Sequence, residues 1–222
     1  TGKSMLAQFV HDRSARHDSD FVSVNMGAIS ETLFESEMFG HVRGAFTDAK
    51  KDRIGRFEMA ESGTLFLDEL ANIPISQQAK LLRVLEENRF EKVGSSRTQV
   101  ANVRIISATN ADLNQLISNN QFRQDLYYRL NTIEITIPSL ADRVEDILPL
   151  ANAFLTKHAQ KYQRDCPKIG DEATRSLKTY RWPGNVRELS HTMERALFTC
   201  RDKVITPNHL NQSTAKQNSE DT

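Results

Sequence analysis

The sequence predicts an α/β fold, in which a parallel sheet is flanked by helices, followed by a small all-helical subdomain. Two apolar runs end in polar residues, as buried parallel strands do at a ligand-binding edge: Thr64–Leu67 precedes Asp68, and Val103–Thr109 precedes Asn110. Beyond Asp142 no strand candidate remains, so the alternation of strands and helices ends there. We therefore predict an α/β subdomain over residues 1–142, a helical subdomain over residues 143–212 and a polar linker over residues 213–222.

Each predicted element has a local signal in the sequence. Strands are predicted over residues 21–25, 64–67, 103–109 and 132–138, with a hairpin over residues 89–100. Helices are predicted over residues 3–13 (with Leu6, Phe9 and Val10 on one face), 30–39 and 54–61, from Pro74 onward, and in pieces of 112–129. In the second subdomain, three helices are predicted over residues 144–163, 172–180 and 185–200.

The composition excludes several classes of protein. Lysine plus arginine and aspartate plus glutamate both total 29, and this zero net charge argues against a dedicated nucleic-acid-binding module. No apolar run approaches the roughly 18 residues that a membrane span needs, and no secretory leader is recognisable. Cys166 and Cys200 are too few for a disulfide framework, so we expect a protein of the cytoplasm.

Gly2-Lys3-Ser4 matches the last three positions of the phosphate-binding pattern G-x-x-x-x-G-K-[ST]. In such a loop the glycine lets backbone N–H groups approach phosphate, the lysine reaches the β- and γ-phosphates, and the serine hydroxyl binds Mg²⁺. The same triplet also occurs by chance in a turn before a helix.

Polar residues follow both strand candidates. Asp68 and Glu69 stand where an acid faces the ligand-binding edge of a parallel sheet, so Asp68 could hold Mg²⁺ and Glu69 could activate water. An Asp-Glu pair alone is also a common solvated turn, but its presence with Gly2-Lys3-Ser4 in one chain favours a nucleotide site. Thr109 and Asn110 could contact a γ-phosphate or cap the helix that begins near residue 112.

Arg123 and Arg129 lie six residues apart in a helical segment, so helical geometry does not direct both at one ligand. Arg129 could pair with Asp125, four residues earlier. Alternatively, an arginine here could reach a nucleotide on a neighbouring subunit, where such a residue accelerates hydrolysis.

Two further segments carry candidate functional residues next to turns. In Trp182–Leu189, proline and glycine make a tight turn, Asn185 is a candidate helix cap, and Arg187 opposes the dipole of the first helical turn, which suggests contact with phosphate. In His41–Ala49, Phe46 is flanked by small residues and is either an anchor for a partner or a plug in the core.

Together these segments resemble the central AAA+ ATPase domain of bacterial sigma-54-dependent transcriptional activators, over about Thr1–Leu210. The most specific element is Gly44-Ala45-Phe46-Thr47-Asp48-Ala49, which is similar to the GAFTGA signature of that family. The resemblance also covers the segments Glu37–His41, Gly63–Glu69, Phe122–Leu130 and Trp182–Leu189.

The resemblance implies an AAA+ P-loop NTPase that hydrolyses ATP with Mg²⁺ and assembles into a homo-oligomeric, typically hexameric, ring. It implies contacts with sigma-54 and RNA polymerase holoenzyme, remodelling of the closed promoter complex, and contact with DNA only through a C-terminal domain outside this chain. The implied roles are nucleotide binding by Gly2, Lys3, Ser4, Thr109, Asn110 and Arg187, Mg²⁺ binding by Ser4 and Asp68, activation of water by Glu69 under the control of Asn25, trans-acting fingers at Arg123 and Arg129, and sigma-54 contact by Gly44, Ala45, Phe46, Thr47, Asp48 and Ala49.

The chain departs from the family pattern in places. Asp48 stands where the signature has glycine, which removes backbone freedom and adds a charge to the loop. The first glycine of the phosphate loop and the first strand are not in the chain, so we expect this chain to bind nucleotide weakly and to hydrolyse it poorly; micromolar affinity in calorimetry would contradict this. Two alternatives stay open: a non-hydrolysing AAA+ regulatory or oligomerisation module, and another AAA+ remodelling protein.

Overall fold

The computed structural model describes residues 2–210, which form two compact units. One unit comprises Lys3–Ile135, and the other comprises Gly2 and the described residues from Thr136 onward. Each unit has its own hydrophobic core. The linker predicted over residues 213–222 lies outside the described residues. Among the helices of the described part of the chain, none is long and apolar enough to cross a membrane.

The first unit is built around a three-stranded parallel sheet. Its elements in chain order are α1 (Lys3–Asp12), β1 (Phe21–Asn25), α2 (Phe34–Phe39), β2 (Gly40–His41), β3 (Arg53–Ile54), α3 (Arg56–Met59), β4 (Thr64–Asp68), α4 (Ile75–Glu87), β5 (Arg89–Glu91), β6 (Thr98–Val100), β7 (Arg104–Ser107), α5 (Leu113–Ser118) and α6 (Gln124–Leu130). Strand β4 lies between β1 and β7, and Asn25 at the end of β1 pairs with Asp68 at the end of β4. Three of the four predicted strands and the β5–β6 hairpin are therefore confirmed, although β7 is half-buried rather than fully buried.

Two predictions for this unit are wrong, one at its end and one in its middle. Residues 132–138 form no strand, because no neighbouring strand in the described part of the chain shares hydrogen bonds with them. Ile133 and Ile135 are consequently 83% and 64% exposed. The helix predicted over residues 54–61 shortens to α3, because Ile54 pairs with Gly40 in the antiparallel β2–β3 ladder.

Helix α1 packs against the sheet through a different face from the predicted one. Ala7 and His11 are its buried residues, whereas the predicted Phe9 is exposed. Nδ1 of His11 lies 2.9 Å from Oγ1 of Thr64, a buried contact at the beginning of β4. The C-terminal end of α1 therefore lies at the edge of the sheet opposite Asp68.

The second unit is mainly helical. Its elements are α7 (Val144–Lys161), β8 (Lys168–Ile169), α8 (Asp171–Thr179), α9 (Asn185–Thr199), β9 (Val204–Ile205) and α10 (Pro207–Leu210). The three predicted helices are present to within two residues at each end, and their apolar faces close a core around Trp182 and Leu189. The description of this unit as all-helical is wrong in one detail, since β8 and β9 form a parallel pair. Strands of two residues are too short to leave a periodic pattern in the sequence.

Candidate functional site

The carboxyl end of the central strand carries the two predicted acids. Asp68 ends β4, and its Oδ1 accepts a hydrogen bond of 3.0 Å from the N–H of Glu69. Glu69 has a left-handed backbone with φ of 56°. A non-glycine residue in this region is strained, and such strain is concentrated at functional sites. The turn carries the chain from β4 directly into the short 3₁₀ helix Leu70–Asn72.

The carboxylate of Glu69 is held by Asn72 and not by Asn25. Nδ2 of Asn72 donates to Oε2 of Glu69 at 3.1 Å, whereas Oδ1 of Asn25 accepts from the N–H of Gly27 at 2.8 Å. Gly27 makes room for this arrangement, since a Cβ there would lie 2.5 Å from Oε2 of Glu69. Asn25 therefore lies beside the acids, and no hydrogen bond joins it to Glu69 among the described contacts.

Thr109 and Asn110 follow β7 at the same edge of the sheet. The carbonyl of Ala108 accepts a hydrogen bond of 2.9 Å from the N–H of Leu70, which ties the end of β7 to the segment after Glu69. Oγ1 of Thr109 accepts from the N–H of Ala111, and Asn110 is exposed. The alternative role as a helix cap is wrong, because the side chain of Asp112 caps α5.

Gly2, Lys3 and Ser4 lie at the beginning of α1, with Gly2 at φ of 98°. The side chains of Lys3 and Ser4 make no hydrogen bond to any residue that the structure describes. Ser4 is exposed and Lys3 is half-buried. The residue types that a phosphate ligand needs are therefore present and have no protein partner in the described part of the chain.

Arg123 and Arg129 have different environments. Arg123 precedes α6, and its guanidinium forms a two-pronged contact with Asp125, with Nε to Oδ1 at 3.0 Å and Nη2 to Oδ2 at 2.6 Å. The predicted pairing of Arg129 with Asp125 is wrong: Nε and Nη2 of Arg129 donate to the carbonyl of Leu85, in the last turn of α4. A cation is favourable at that end of a helix dipole.

The loop Gly44–Ala49 folds back on itself. The N–H of Gly44 donates to the carbonyl of Ala49 at 2.8 Å, and the N–H of Ala49 donates to the carbonyl of Phe46 at 2.9 Å. Ala49 is buried, whereas Thr47 and Asp48 are exposed. Phe46 is 39% exposed and packs edge-on against the ring of His41, with centroids 4.9 Å apart. Phe46 is therefore neither a buried core residue nor fully exposed to solvent.

In the second unit, the turn before α9 is held by Glu188. Oε2 of Glu188 accepts from the N–H of Gly184 at 2.8 Å, and Oε1 accepts from the hydroxyl of Tyr180 at 3.0 Å. Asn185 does not cap the helix as predicted, because its Oδ1 accepts from the N–H of Leu140. Arg187 is exposed and makes no hydrogen bond or ion pair with the described residues.

The structure thus brings Asn25, Asp68, Glu69 and Thr109 to one edge of the sheet, because parallel strands end together. Sequence reasoning missed two residues near them. Asn72 could have been found from its place three residues after Glu69, one short helical turn away. Gln78 could have been found as a polar residue on the buried face of α4, where it is completely inaccessible to solvent.

This sheet and helical second unit define a module of the AAA+ class. Family models match both parts of the chain: the Sigma-54 interaction domain over residues 1–136 and the AAA+ ATPase lid domain over residues 141–222. The chain belongs to the sigma-54 interaction domain family and matches the central domain of sigma-54-dependent activators.

Named relatives agree with this assignment. The DNA-binding transcriptional activator HyfR of Escherichia coli K12 is 48% identical over 211 residues, which cover 95% of this chain and 31% of HyfR. The Nif-specific regulatory protein of Herbaspirillum seropedicae is 48% identical over 210 residues, covering 95% of this chain and 39% of that protein. NtrX from Brucella abortus in complex with ADP superposes with a TM-score of 0.85 at 35% identity, covering 94% of this chain and 46% of NtrX. The chain thus spans about a third of the length of the curated relatives.

Proposed function

We propose that this chain is the ATP-hydrolysing part of a transcription activator that acts on sigma-54 RNA polymerase holoenzyme and remodels the closed promoter complex. The observation that carries the proposal is the pair Asp68-Glu69 at the carboxyl end of the central strand, beside Asn25 and the end of β7. Membership of the sigma-54 interaction domain family and the ADP complex of the related NtrX support it.

The beginning of α1 is the proposed phosphate site. The contact between His11 and Thr64 puts the far end of α1 at the start of β4. A ten-residue helix is about 15 Å long, close to the length of a five-residue strand, so α1 is long enough to bring Lys3 to the edge that carries Asp68. Helix N-termini favour phosphate because their N–H groups are unpaired.

The residues at this edge fit Mg²⁺, which prefers oxygen ligands. One oxygen of Asp68 is fixed by the N–H of Glu69, and the other has no partner among the described residues. Asp68 and the hydroxyl of Ser4 are the proposed ligands. Bound Mg²⁺ would withdraw charge from the phosphate oxygens.

Glu69 is the proposed general base. Its Oε2 is held by Asn72, whereas Oε1 has no hydrogen bond to the described residues and is available to accept a proton from water. Asn25 is proposed to replace Asn72 as the hydrogen-bond partner of the Glu69 carboxylate when nucleotide is bound. Thr109 and Asn110 are proposed to contact phosphate from the end of β7, and Arg187 from the second unit.

Arg123 and Arg129 are proposed to act on the nucleotide of a neighbouring subunit, which requires a ring, expected to be a hexamer. The Arg123 side chain is exposed, and among the described residues Asp125 is its one partner, so it can leave that partner without disturbing the core. Arg129 is tied to α4, and its proposed part in trans needs that contact to open.

Hydrolysis is tested by the change Glu69→Gln in the full-length protein. We expect phosphate release to fall about 100-fold or more, the range for loss of a general base, while nucleotide affinity in calorimetry stays within about threefold. The matched control is Glu86→Gln, because Glu86 is an exposed glutamate of α4 without a described partner. A wild-type rate for Glu69→Gln would contradict the role of Glu69, and no phosphate release from the unmodified protein would favour a non-hydrolysing module.

Contact with sigma-54 is tested by Phe46→Ala. Phe46 is the large exposed apolar side chain of the Gly44–Ala49 loop, so its loss is expected to abolish open-complex formation with sigma-54 polymerase and to leave ATP hydrolysis unchanged. Met59→Ala is the control, since Met59 is similarly exposed at 45% but lies on α3. Open complexes at the wild-type level with Phe46→Ala would refute the assignment of this loop.

A further inference from the structure

We propose that Gln78 is a positioning residue for Arg123, and this inference rests on the proposed function. Gln78 lies on α4 and is fully buried. Its Oε1 accepts from the N–H of Arg123 at 2.8 Å. Its Nε2 donates to the carbonyl of Gln121 at 3.1 Å and to the carbonyl of Ile73 at 2.9 Å.

The three contacts permit a single orientation of the amide. A side-chain amide has one acceptor oxygen and two N–H donors, and here the oxygen meets an N–H while the nitrogen meets two carbonyls. A flipped amide would place its nitrogen against the N–H of Arg123 and its oxygen against the carbonyls of Gln121 and Ile73. The side chain of Gln78 thus hydrogen-bonds to the backbone on both sides of Phe122, as a neighbouring strand would. The side chain of Phe122 is itself buried in the core, which holds the same segment in place.

The backbone of Arg123 depends on this contact. Arg123 precedes α6 with an extended conformation, φ of −79° and ψ of 131°, so its N–H lies outside the hydrogen-bond ladder of that helix. The side chain of Arg123, by contrast, is exposed, and in the part of the chain that the structure describes its partner is Asp125. A backbone held by Gln78 therefore carries a guanidinium that is paired with an exposed carboxylate at the surface.

A buried amide is unfavourable unless it is fully hydrogen-bonded, and here its contacts also satisfy backbone groups of Ile73, Gln121 and Arg123 that an apolar residue would leave unpaired. The hydrogen bond to Ile73 also connects Gln78 to the segment that follows Glu69. Ile73 follows Glu69 by four residues, so the segment that carries the general base and the segment that carries the arginine share one side chain. Misplacing a reacting group by about 1 Å can cost about 100-fold in rate.

The test is Gln78→Met in the full-length protein, since methionine has a similar length and no hydrogen-bonding amide. Alone, the variant is expected to lose about 10- to 100-fold in kcat with nucleotide affinity within about twofold. Mixed with Glu69→Gln subunits before assembly, it is expected to regain hydrolysis at about a quarter of the sites, because half the subunits keep Glu69 and half of those have a neighbour with an intact arginine segment.

Two mixtures serve as controls. Arg123→Ala with Glu69→Gln should regain activity, and Arg123→Ala with Gln78→Met should not, because both members lack a positioned arginine. If Arg123→Ala is rescued by Glu69→Gln and Gln78→Met is not, Gln78 does not act through Arg123 and the inference is overturned. Wild-type kcat for Gln78→Met overturns it as well.

Failure of the Arg123→Ala rescue contradicts the trans-acting arginine itself, and so the proposed function, separately from Gln78. Should Gln78→Met be insoluble, Gln78→Glu carries the same test. This variant keeps an acceptor for the N–H of Arg123 but, when ionised, cannot donate to Gln121. A smaller loss of kcat than for Arg123→Ala, with the same rescue by Glu69→Gln, is expected, and no rescue overturns the inference.

Discussion

Glu69 shows how one backbone conformation determines what a candidate base can touch. Its left-handed φ of 56° turns the chain at the end of β4 and directs the carboxylate to Asn72. Glutamate has no intrinsic preference for this region, so the conformation is imposed by the strand before it and the 3₁₀ turn after it. The acids could be predicted from the sequence, and so could Asn72 as a polar neighbour of Glu69, but the left-handed turn that joins the two side chains could not.

Arg123 and Asp125 give a prediction at the same scale. The Arg123 guanidinium lowers the pKa of Asp125, mainly through their hydrogen bonds. Arg123→Ala should therefore raise the pKa of Asp125 towards its ordinary value, as measured by carboxyl NMR titration. Because the pKa of Asp125 is lowered in the folded state, the pair stabilises the fold above the ordinary aspartate pKa, and this contribution is lost as the pH falls through the lowered value.

The control for this titration is Arg129→Ala. The Arg129 guanidinium donates to the carbonyl of Leu85, so its removal should leave the pKa of Asp125 unchanged. An unchanged titration of Asp125 in Arg123→Ala would show that the ion pair does not persist in solution.

Among the elements, two loops of the first unit meet although each was predicted separately. The turn of the β5–β6 hairpin packs against the loop Gly44–Ala49, since a Cβ on Gly94 would lie 2.6 Å from the Cβ of Ala45. The N–H of Val42 also donates to the carbonyl of Val93. Predicting the hairpin required only local signals, whereas this contact depends on how β2 and the hairpin pack.

Gly94 and Gly44 form a matched pair for testing that contact. Both have a positive φ, 80° and 83°, but a Cβ on Gly44 would meet nothing within 4 Å. Gly44→Ala should cost about 1 kcal/mol of unfolding free energy from the backbone alone, and Gly94→Ala about 2–4 kcal/mol because a steric clash is added. Denaturant unfolding measures both, and equal losses would show that the two loops do not touch in solution.

The turn before α9 supplies a second element-scale prediction. Glu188→Ala removes the acceptor for the N–H of Gly184 and for the hydroxyl of Tyr180, so it should destabilise the second unit by about 1–2 kcal/mol, the usual cost of a lost cap. Arg187→Ala, one residue earlier and without a described partner, should stay within about 0.5 kcal/mol of the wild type. If both changes cost the same in thermal unfolding, the turn is held by other contacts.

At the scale of the whole molecule, the feature that governs stability is that each unit has its own hydrophobic core. Leu81 belongs to the core of the first unit and Leu189 to that of the second, and both are completely buried. Leu81→Ala and Leu189→Ala should each cost about 2–5 kcal/mol, and hydrogen exchange should show the loss only in the unit that contains the change. Loss of protection in both units from either change would show that they unfold as one cooperative body.

The sequence by itself determined the three sheet strands, the main helices, the strand-end acids and the family, because each depends on local periodicity or on motifs that are contiguous in the chain. The tertiary structure decided two local contacts, the pairing of Arg123 with Asp125 and the hydrogen bond from Asn72 to Glu69. It also decided the hydrogen bond between Gln78 and the backbone of Arg123, and that residues 132–138 form no strand. The first two join residues no more than three positions apart and are choices among nearby partners, whereas the last two depend on segments that are distant in the chain. A hydrogen bond between residues 45 positions apart, such as that of Gln78 with Arg123, exists only once the core has brought the two segments together.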